Sequence, residues 1–371
     1  MPKWRALGGS WKKTVTEDPW APARIAWREL SPPLSRWLGQ PLAGPVHATF
    51  IPTYQCDLRC GRCGLKQRVR LAQMDGMEEL SVTQVERVID DLAAMRTGEL
   101  SLSGGEPLLC RDTLHYLRYA RCKGLSTQLA TNGLLVDDAM ADAIVETGVS
   151  AVEIPVDGVD ADTHDGLRGR GGAFDKALSA LRRLSERKRE GKPKLIAVSV
   201  LCQDNVGQLP HIAERVASWG ADRYNVIPEH RFDLSAAATE MSLPLPRELR
   251  QTADRALEEL MAVHKQTGVM DCSMAYLKLL KCCIRGEPVP VPCYAGYVTY
   301  VVDCYGQLFP CLGMLQQGRR GANVRDLSVR RHWHSAGMAQ TRQNLRDCRR
   351  CYWNCKTEPD FLYSLRAWME R

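Results

Sequence analysis

The chain has 371 residues, a net charge of +7 and 15 cysteines, enough length for one large α/β domain plus a smaller one. No apolar run reaches membrane-spanning length, and the opening, Met1-Pro2-Lys3-Trp4-Arg5 and then Trp11-Lys12-Lys13, lacks the apolar core of a signal peptide. A cytoplasmic protein with no membrane partner is expected, and in that compartment so many cysteines point to metal rather than to disulfides.

Residues 1–45 are rich in Trp and Pro without a sustained period, and are expected to form an N-terminal arm with a short helix near Arg24–Leu30. Strand-like and helix-like runs then alternate. Strands are expected at Val46–Tyr54, Glu99–Ser103, Ser126–Ala130, Ser150–Val156, Leu195–Leu201 and Arg223–Ile227. Ser81 and Gln84 make a capping box before an apolar helical face of Val82, Val85, Val88, Ile89 and Leu92. Further helices are expected at Asp175–Lys188 and Leu209–Trp219. This alternation predicts parallel strands joined by crossover helices. The basic run Arg187-Lys188-Arg189-Glu190-Gly191-Lys192 closes a helix, where cations suit the dipole; it reads as a solvated helix end rather than a nucleic-acid patch, and no nucleic-acid partner is expected. A weaker helical pattern from Arg247 to Lys265 leads to a region holding nine of the 15 cysteines, between Cys272 and Cys355. The expected divisions are an arm over 1–45, a strand–helix domain over 46–240, and a linker helix with a Cys-rich domain over 241–371.

The chemistry concentrates where strands end, as in barrel-like α/β folds. After the first strand comes Cys56-Asp57-Leu58-Arg59-Cys60-Gly61-Arg62-Cys63. A structural zinc or a closed iron–sulfur cluster takes four ligands; three local cysteines suggest a cluster with one iron left open, a partial zinc site being the alternative. Gly104-Gly105-Glu106-Pro107 follows the second strand. Its glycines let backbone approach a ligand closely, and Glu106 has the right charge for an α-ammonium group. Thr131-Asn132-Gly133, Asp157-Gly158, Asp204-Asn205 and Pro228-Glu229-His230-Arg231 follow strands three to six. Each alone is a turn, but six in register on one rim need more than turns to explain them. Glu229 or His230 is a candidate to take a substrate proton, with Arg231 placed to pair with a carboxylate or phosphate; a solvated loop is the plain alternative.

A second cysteine set begins at Cys293, followed after twelve residues by Gly306 and after four more by Cys311, then Cys348, Cys351 and Cys355. Residues Tyr297 to Phe309 read as a hairpin turning at Tyr305-Gly306, which brings Cys293 and Cys311 together. Four such thiols also suit zinc. Cys110, Cys122 and Cys202 read as buried structural thiols. His332-Trp333-His334 lies in a helical pattern, where i and i+2 do not share a face, and is not taken as a metal pair.

Cys56, Cys60 and Cys63 together with Gly104–Pro107 resemble the cluster and "GGEP" motifs of the radical S-adenosylmethionine (SAM) superfamily over residues 46 to about 232. The segment Asp157-Gly158, His164-Asp165, Arg168 and Gly172-Ala173-Phe174 is similar to its peptide-modifying and dehydrogenating branch. Cys293 to Cys355 resemble the SPASM/twitch extension, and the short tail favours the twitch form. The resemblance implies an α/β fold, a partial (β/α)6 TIM-like barrel with a small Cys-rich C-terminal domain. It implies a [4Fe–4S] cluster on Cys56, Cys60 and Cys63, and SAM held by Gly104, Gly105, Glu106, Pro107, Asn132, Asp157 and Arg168. It further implies at least one auxiliary [4Fe–4S] cluster on Cys293, Cys311, Cys348 and Cys351, with Cys355 and Cys304 in reserve and Cys282 and Cys283 as candidates for a second. Such an oxidoreductase cleaves SAM to a 5′-deoxyadenosyl radical that takes a hydrogen atom from substrate, with electrons from a flavodoxin or ferredoxin-type reductant. A ribosomally made peptide is the expected substrate. The alternatives are a small alcohol, aminosugar or natural-product intermediate, or a non-catalytic iron–sulfur or zinc protein. Two positions depart from the pattern: Arg62 where an apolar or aromatic residue is usual, and Pro155 where many relatives have a Ser.

Overall fold

The computed structural model describes residues 21–63, 76–230, 244–316 and 321–364. Six parallel strands form where the alternation placed them: β1 His47–Phe50, β2 Glu99–Leu102, β3 Ser126–Ala130, β4 Ala151–Pro155, β5 Lys194–Leu201 and β6 Arg223–Pro228. They lie in sequence order across the sheet. Leu100, Leu102, Leu129, Val152 and Ile154 are fully buried, each worth about 1.5–3 kcal/mol of apolar burial. The outer edge of β6 is covered by a short parallel bridge, with Tyr224 N–H donating to the Val269 carbonyl and Asp271 N–H to the Tyr224 carbonyl. The sheet is an unclosed barrel, since among the described residues its two edge strands do not pair with each other.

The crossover helices are α2 Val82–Ala94, α3 Thr113–Cys122, α4 Asp138–Glu146, α5 Ala161–Arg168, α6 Ala173–Arg187 and α7 Leu209–Arg215, after an N-terminal α1 Ala21–Leu38. The capping box forms, Ser81 Oγ accepting from Gln84 N–H and Gln84 Oε1 from Ser81 N–H, and Val85, Val88, Ile89 and Leu92 face the core. α1 runs on through Pro32 and Pro33, beyond the expected stop at Leu30. Its Arg36 reaches the Cys293 carbonyl at 3.1 Å and the Arg346 carbonyl at 2.6 Å, so tertiary contacts hold the turn that proline alone would end.

The C-terminal third does not build its sheet apart. β7 Thr299–Val302 pairs parallel with β1, and β8 Gln307–Phe309 and β9 Ala322–Asn323 follow antiparallel, giving one sheet of nine strands in the order β6-β5-β4-β3-β2-β1-β7-β8-β9. The hairpin turns at Gly306 as expected, with the Asp303 carboxylate accepting from Tyr305 and Gln307 N–H. Around it pack α8 Arg250–Thr267, α9 Met274–Arg285, α10 Leu312–Gln316, α11 Val329–Trp333, α12 Ala336–Leu345 and α13 Asn354–Tyr363. His332 is buried in α11 against the Tyr300 hydroxyl and held low, at about 4, by burial, so it serves packing. Cys202 is buried and Cys110 half-buried, but Cys122 is exposed. That corrects the expectation for Cys122: α3 buries Thr113, Tyr116, Leu117 and Ala120, and Cys122 falls off that face.

Candidate active site

The cysteine loop after β1 is fastened to three other strand ends. Beside β2, the Gly105 and Glu106 N–H groups donate to the Thr53 and Gln55 carbonyls at 3.1 and 2.8 Å. A Cβ on Gly105 would overlap the Gln55 carbonyl and one on Gly104 would overlap Ile51, so this approach requires glycine. Beside β3, the Asn132 carboxamide donates to Asp57 Oδ1 at 2.7 Å. After β4, the Arg168 carbonyl accepts from Arg59 N–H at 3.2 Å and Arg170 donates to the Asp57 carbonyl at 3.0 Å. Gly169 ends α5 at φ +66 and packs directly on the Arg59 carbonyl. Asp57 and Arg170 were missed in sequence. The only available signal was a charged residue inside the cysteine loop and an arginine between two glycines.

Glu106 is fully buried. Its Oε1 accepts from Leu108 N–H at 3.0 Å and Thr131 Oγ1–H at 2.8 Å, and its Oε2 from Asn132 N–H at 2.7 Å. It therefore ties the loops after β2 and β3 together. Burial pushes its pKa up to about 7 against those three donors. Pro107 starts a short 3-10 turn, Pro107–Leu109, just behind it.

Asp157, at the end of β4, is 3% exposed. Its carboxylate accepts from Val200 N–H at 2.8 Å and pairs with Arg168 at 2.5 Å, its carbonyl accepts from Asn205, and its N–H donates to His164 Nδ1 at 3.0 Å. The Arg168 guanidinium reaches from Asp157 to the Cys60 thiol. Its Nε is buried with no hydrogen-bond partner.

Strand six ends differently from the expectation of a rim facing substrate with both residues. Glu229 is ion-paired at 2.5 Å with Arg62 of the cysteine loop, and Arg62 also holds Asp204 after β5. One arginine thus spans the mouth from the first strand's loop to the last two. Its departure from the family pattern has a local use. His230, the next residue, is turned away and 4% exposed. Its Nδ1 donates to the Pro228 carbonyl at 2.7 Å, its ring centroid lies 4.2 Å from that of Trp353, and its Nε2 stands 4.0 Å from Cys351 Sγ. Arg231 lies outside the described residues.

A second site opens between β1, β7, α10 and α12. It is a cavity of about 430 Å³ whose walls include Cys293, Cys311, Cys348, Cys351 and Cys355, with Trp353, Thr49 and Thr299. Cys293, Cys311, Cys348, Cys351 and the reserve Cys355 meet there, across 62 residues of chain from Cys293 to Cys355. Cys304 lies elsewhere, packed with Tyr54 and Tyr305, and Cys283 packs with Tyr352; neither lines the cavity.

Both places fit cysteine-bound iron–sulfur groups. At the first, three thiols share one loop, and Arg168, whose buried Nε has no hydrogen-bond partner, interacts with Cys60 of that loop. At the second, soft thiolate donors, the kind that select iron–sulfur clusters or zinc, surround a space rather than a point. No group of three or more His, Cys, Asp or Glu side chains converges on a single-ion site among the described residues. Among those residues, no helix is long and apolar enough to cross a membrane.

Residues 50–230 match the family model described as the Radical SAM superfamily. The chain is 31% identical over 241 residues to Fe-coproporphyrin III synthase of Methanosarcina barkeri, covering 62% of this chain and 57% of that protein. It is 31% identical over 180 residues to mycofactocin maturase MftC of Mycolicibacterium smegmatis, covering 48% of this chain and 44% of that one. The chain thus spans about half the length of these curated relatives. The crystal structure of Streptococcus suis SuiB bound to precursor peptide SuiA shares the fold, with a TM-score of 0.63 at 15% identity over 87% of this chain and 71% of that chain. Residues 50–230, from the end of β1 through the end of β6, thus form a radical SAM domain.

Proposed function

We propose that this protein is a radical SAM oxidoreductase that modifies a ribosomally made peptide at an unactivated carbon. The observation that carries the reading is the cysteine loop itself: the backbone that bears its three thiols is tied through Asp57 and Arg59 to Asn132, Arg168 and Arg170 at the ends of β3 and β4. A [4Fe–4S] cluster bound there would supply the electron for reductive cleavage of SAM, the chemistry by which such enzymes take a hydrogen atom from substrate. Cys56, Cys60 and Cys63 ligate that cluster, with Arg168 beside Cys60. Gly104, Gly105 and Pro107 shape the SAM pocket with Asn132 and Asp157. Glu106 positions the loops around it, with one lone pair of Oε2 left for an ammonium group. Cys293, Cys311, Cys348 and Cys351 hold an auxiliary [4Fe–4S] cluster, with Cys355 as the fifth thiol of that cavity. Glu229, held at the mouth by Arg62, is the group placed to take a substrate proton, and a flavodoxin or ferredoxin-type protein supplies the electron. Residues 46–240 form the catalytic unit and 241–371 the auxiliary one.

The peptide substrate is supported by the match to a mycofactocin maturase and by the fold shared with a peptide-bound enzyme. The match to Fe-coproporphyrin III synthase supports a second reading, a tetrapyrrole. Anaerobically reconstituted, reduced protein should cleave SAM to 5′-deoxyadenosine, and Cys56→Ala/Cys60→Ala/Cys63→Ala should abolish this; undiminished cleavage in the triple variant rejects the assignment. Mass spectrometry with a peptide encoded beside this gene, and separately with a porphyrin-type precursor from which Fe-coproporphyrin III can be made, decides the substrate. Modification of the porphyrin alone overturns the peptide reading.

A further inference from the structure

Arg342 stands on α12, whose Thr341, Asn344 and Leu345 line the five-cysteine cavity. It is 2% exposed. Its Nε donates to the Gly296 carbonyl at 2.7 Å and its Nη2 to the Trp333 carbonyl at 2.6 Å. Its guanidinium lies 4.8 Å from the Trp333 ring centroid and 5.4 Å from that of Tyr297. No carboxylate pairs with it among the described residues, and burial holds its pKa down at about 10. Carbonyl dipoles and ring faces satisfy its hydrogen bonds, yet they bring no negative charge, and a buried charge without a counter-charge is costly.

The counter-charge has a place. Gly296 follows Ala295, whose N–H donates to Cys293 Sγ at 3.4 Å. Arg36 holds the Cys293 carbonyl from the other side, and Arg350 lines the cavity. The acids nearby are Asp347 in the wall and Asp360, which accepts from Tyr294 N–H. A cluster on four thiolates is a net anion and becomes more negative on reduction. Its potential responds to nearby charge. We propose that Arg342 is the buried counter-charge of the cysteine-bound group in this cavity, and that it raises that group's reduction potential. This rests on the reading that the cavity holds an auxiliary iron–sulfur cluster.

The test uses the reconstituted full chain. Arg342→Met removes the charge and keeps the packed stem; Arg342→Lys keeps the charge. In EPR-monitored redox titrations, Arg342→Met should shift the auxiliary cluster at least tenfold toward its oxidised form, about 59 mV for a one-electron couple. The SAM-binding cluster of the same molecule should not move, and Arg342→Lys should stay near wild type. Loading with iron should also raise the melting temperature more in wild type and Arg342→Lys than in Arg342→Met. Arg342→Gln keeps an N–H for the Gly296 carbonyl; it is read the same way as Arg342→Met and guards against a variant that does not fold. A loaded, uncharged variant with an unmoved potential overturns the proposal alone, as does a lysine variant that behaves like the methionine one. Iron content that is unchanged by replacing Cys293, Cys311, Cys348, Cys351 and Cys355 together overturns the cluster reading and the proposal with it.

Discussion

His164 offers a quantitative check on how the end of β4 is built. It is 1% exposed, its Nδ1 accepts the Asp157 N–H, and its ring lies 5.7 Å from that of Phe174. Protonation at Nδ1 would break that bond and put a charge beside Arg168. Burial first, and then Arg168, lower its pKa from 6.5 to about 4. A depressed folded pKa contributes stability that is present above the unfolded value and lost as pH falls through the folded one. Between pH 7.5 and pH 5 the loss from this group alone is about 2 kcal/mol, approaching ~3 kcal/mol below pH 4. Glu106, raised to about 7 by burial, acts in the opposite sense over the same range, so the comparison must be between proteins. His164→Asn keeps an acceptor near the Nδ1 position and cannot titrate. Anaerobic urea unfolding at the two pH values should show wild type losing about 2 kcal/mol relative to this variant. If the two lose stability in parallel, the Asp157 N–H is not held by a neutral His164 and the account of this strand end is wrong.

Two further outcomes are expected. Cys348→Ala should remove the auxiliary cluster, about four irons per chain, while leaving some SAM cleavage and losing product; iron analysis with unchanged content would show that Cys348 is not a ligand. Glu229→Gln should leave uncoupled 5′-deoxyadenosine formation near normal and cut product at least tenfold, about 1.4 kcal/mol of transition-state stabilisation. Wild-type product formation in that variant would remove the acid–base step from the end of β6.

How much of this was legible before the fold depends on how far apart the partners lie. The capping box at Ser81, the six parallel strands and the meeting of Cys293 with Cys311 were all read from spacing within a few tens of residues. The glycine pair at 104–105 was also readable, because close backbone approach leaves its mark on residue type. The roles within the rim were less so. Glu106 read as a charge for an α-ammonium group, and the fold also makes it a buried cross-link between two loops. A carboxylate looks the same in sequence whether it meets solvent, ligand or three N–H and O–H donors.

The chain's local pattern by itself determined the α/β class, the order of the barrel strands, and which short segments stand at their C-terminal ends, since periodicity and turn chemistry act over neighbouring residues. Tertiary structure alone decided three things. β7 joins the sheet beside β1, a pairing between residues 47–50 and 299–302 that no local propensity encodes. Glu229 and His230, adjacent in sequence, serve different sites, because side chains leaving an extended backbone alternate in direction: one meets Arg62 and the other Cys351. Arg342, an ordinary surface residue by type, became a buried cation because α12, which helps line the five-cysteine cavity, packs against the Cys293–Gly296 turn. Long-range packing sets which charge is desolvated, and only the folded chain brings those groups together.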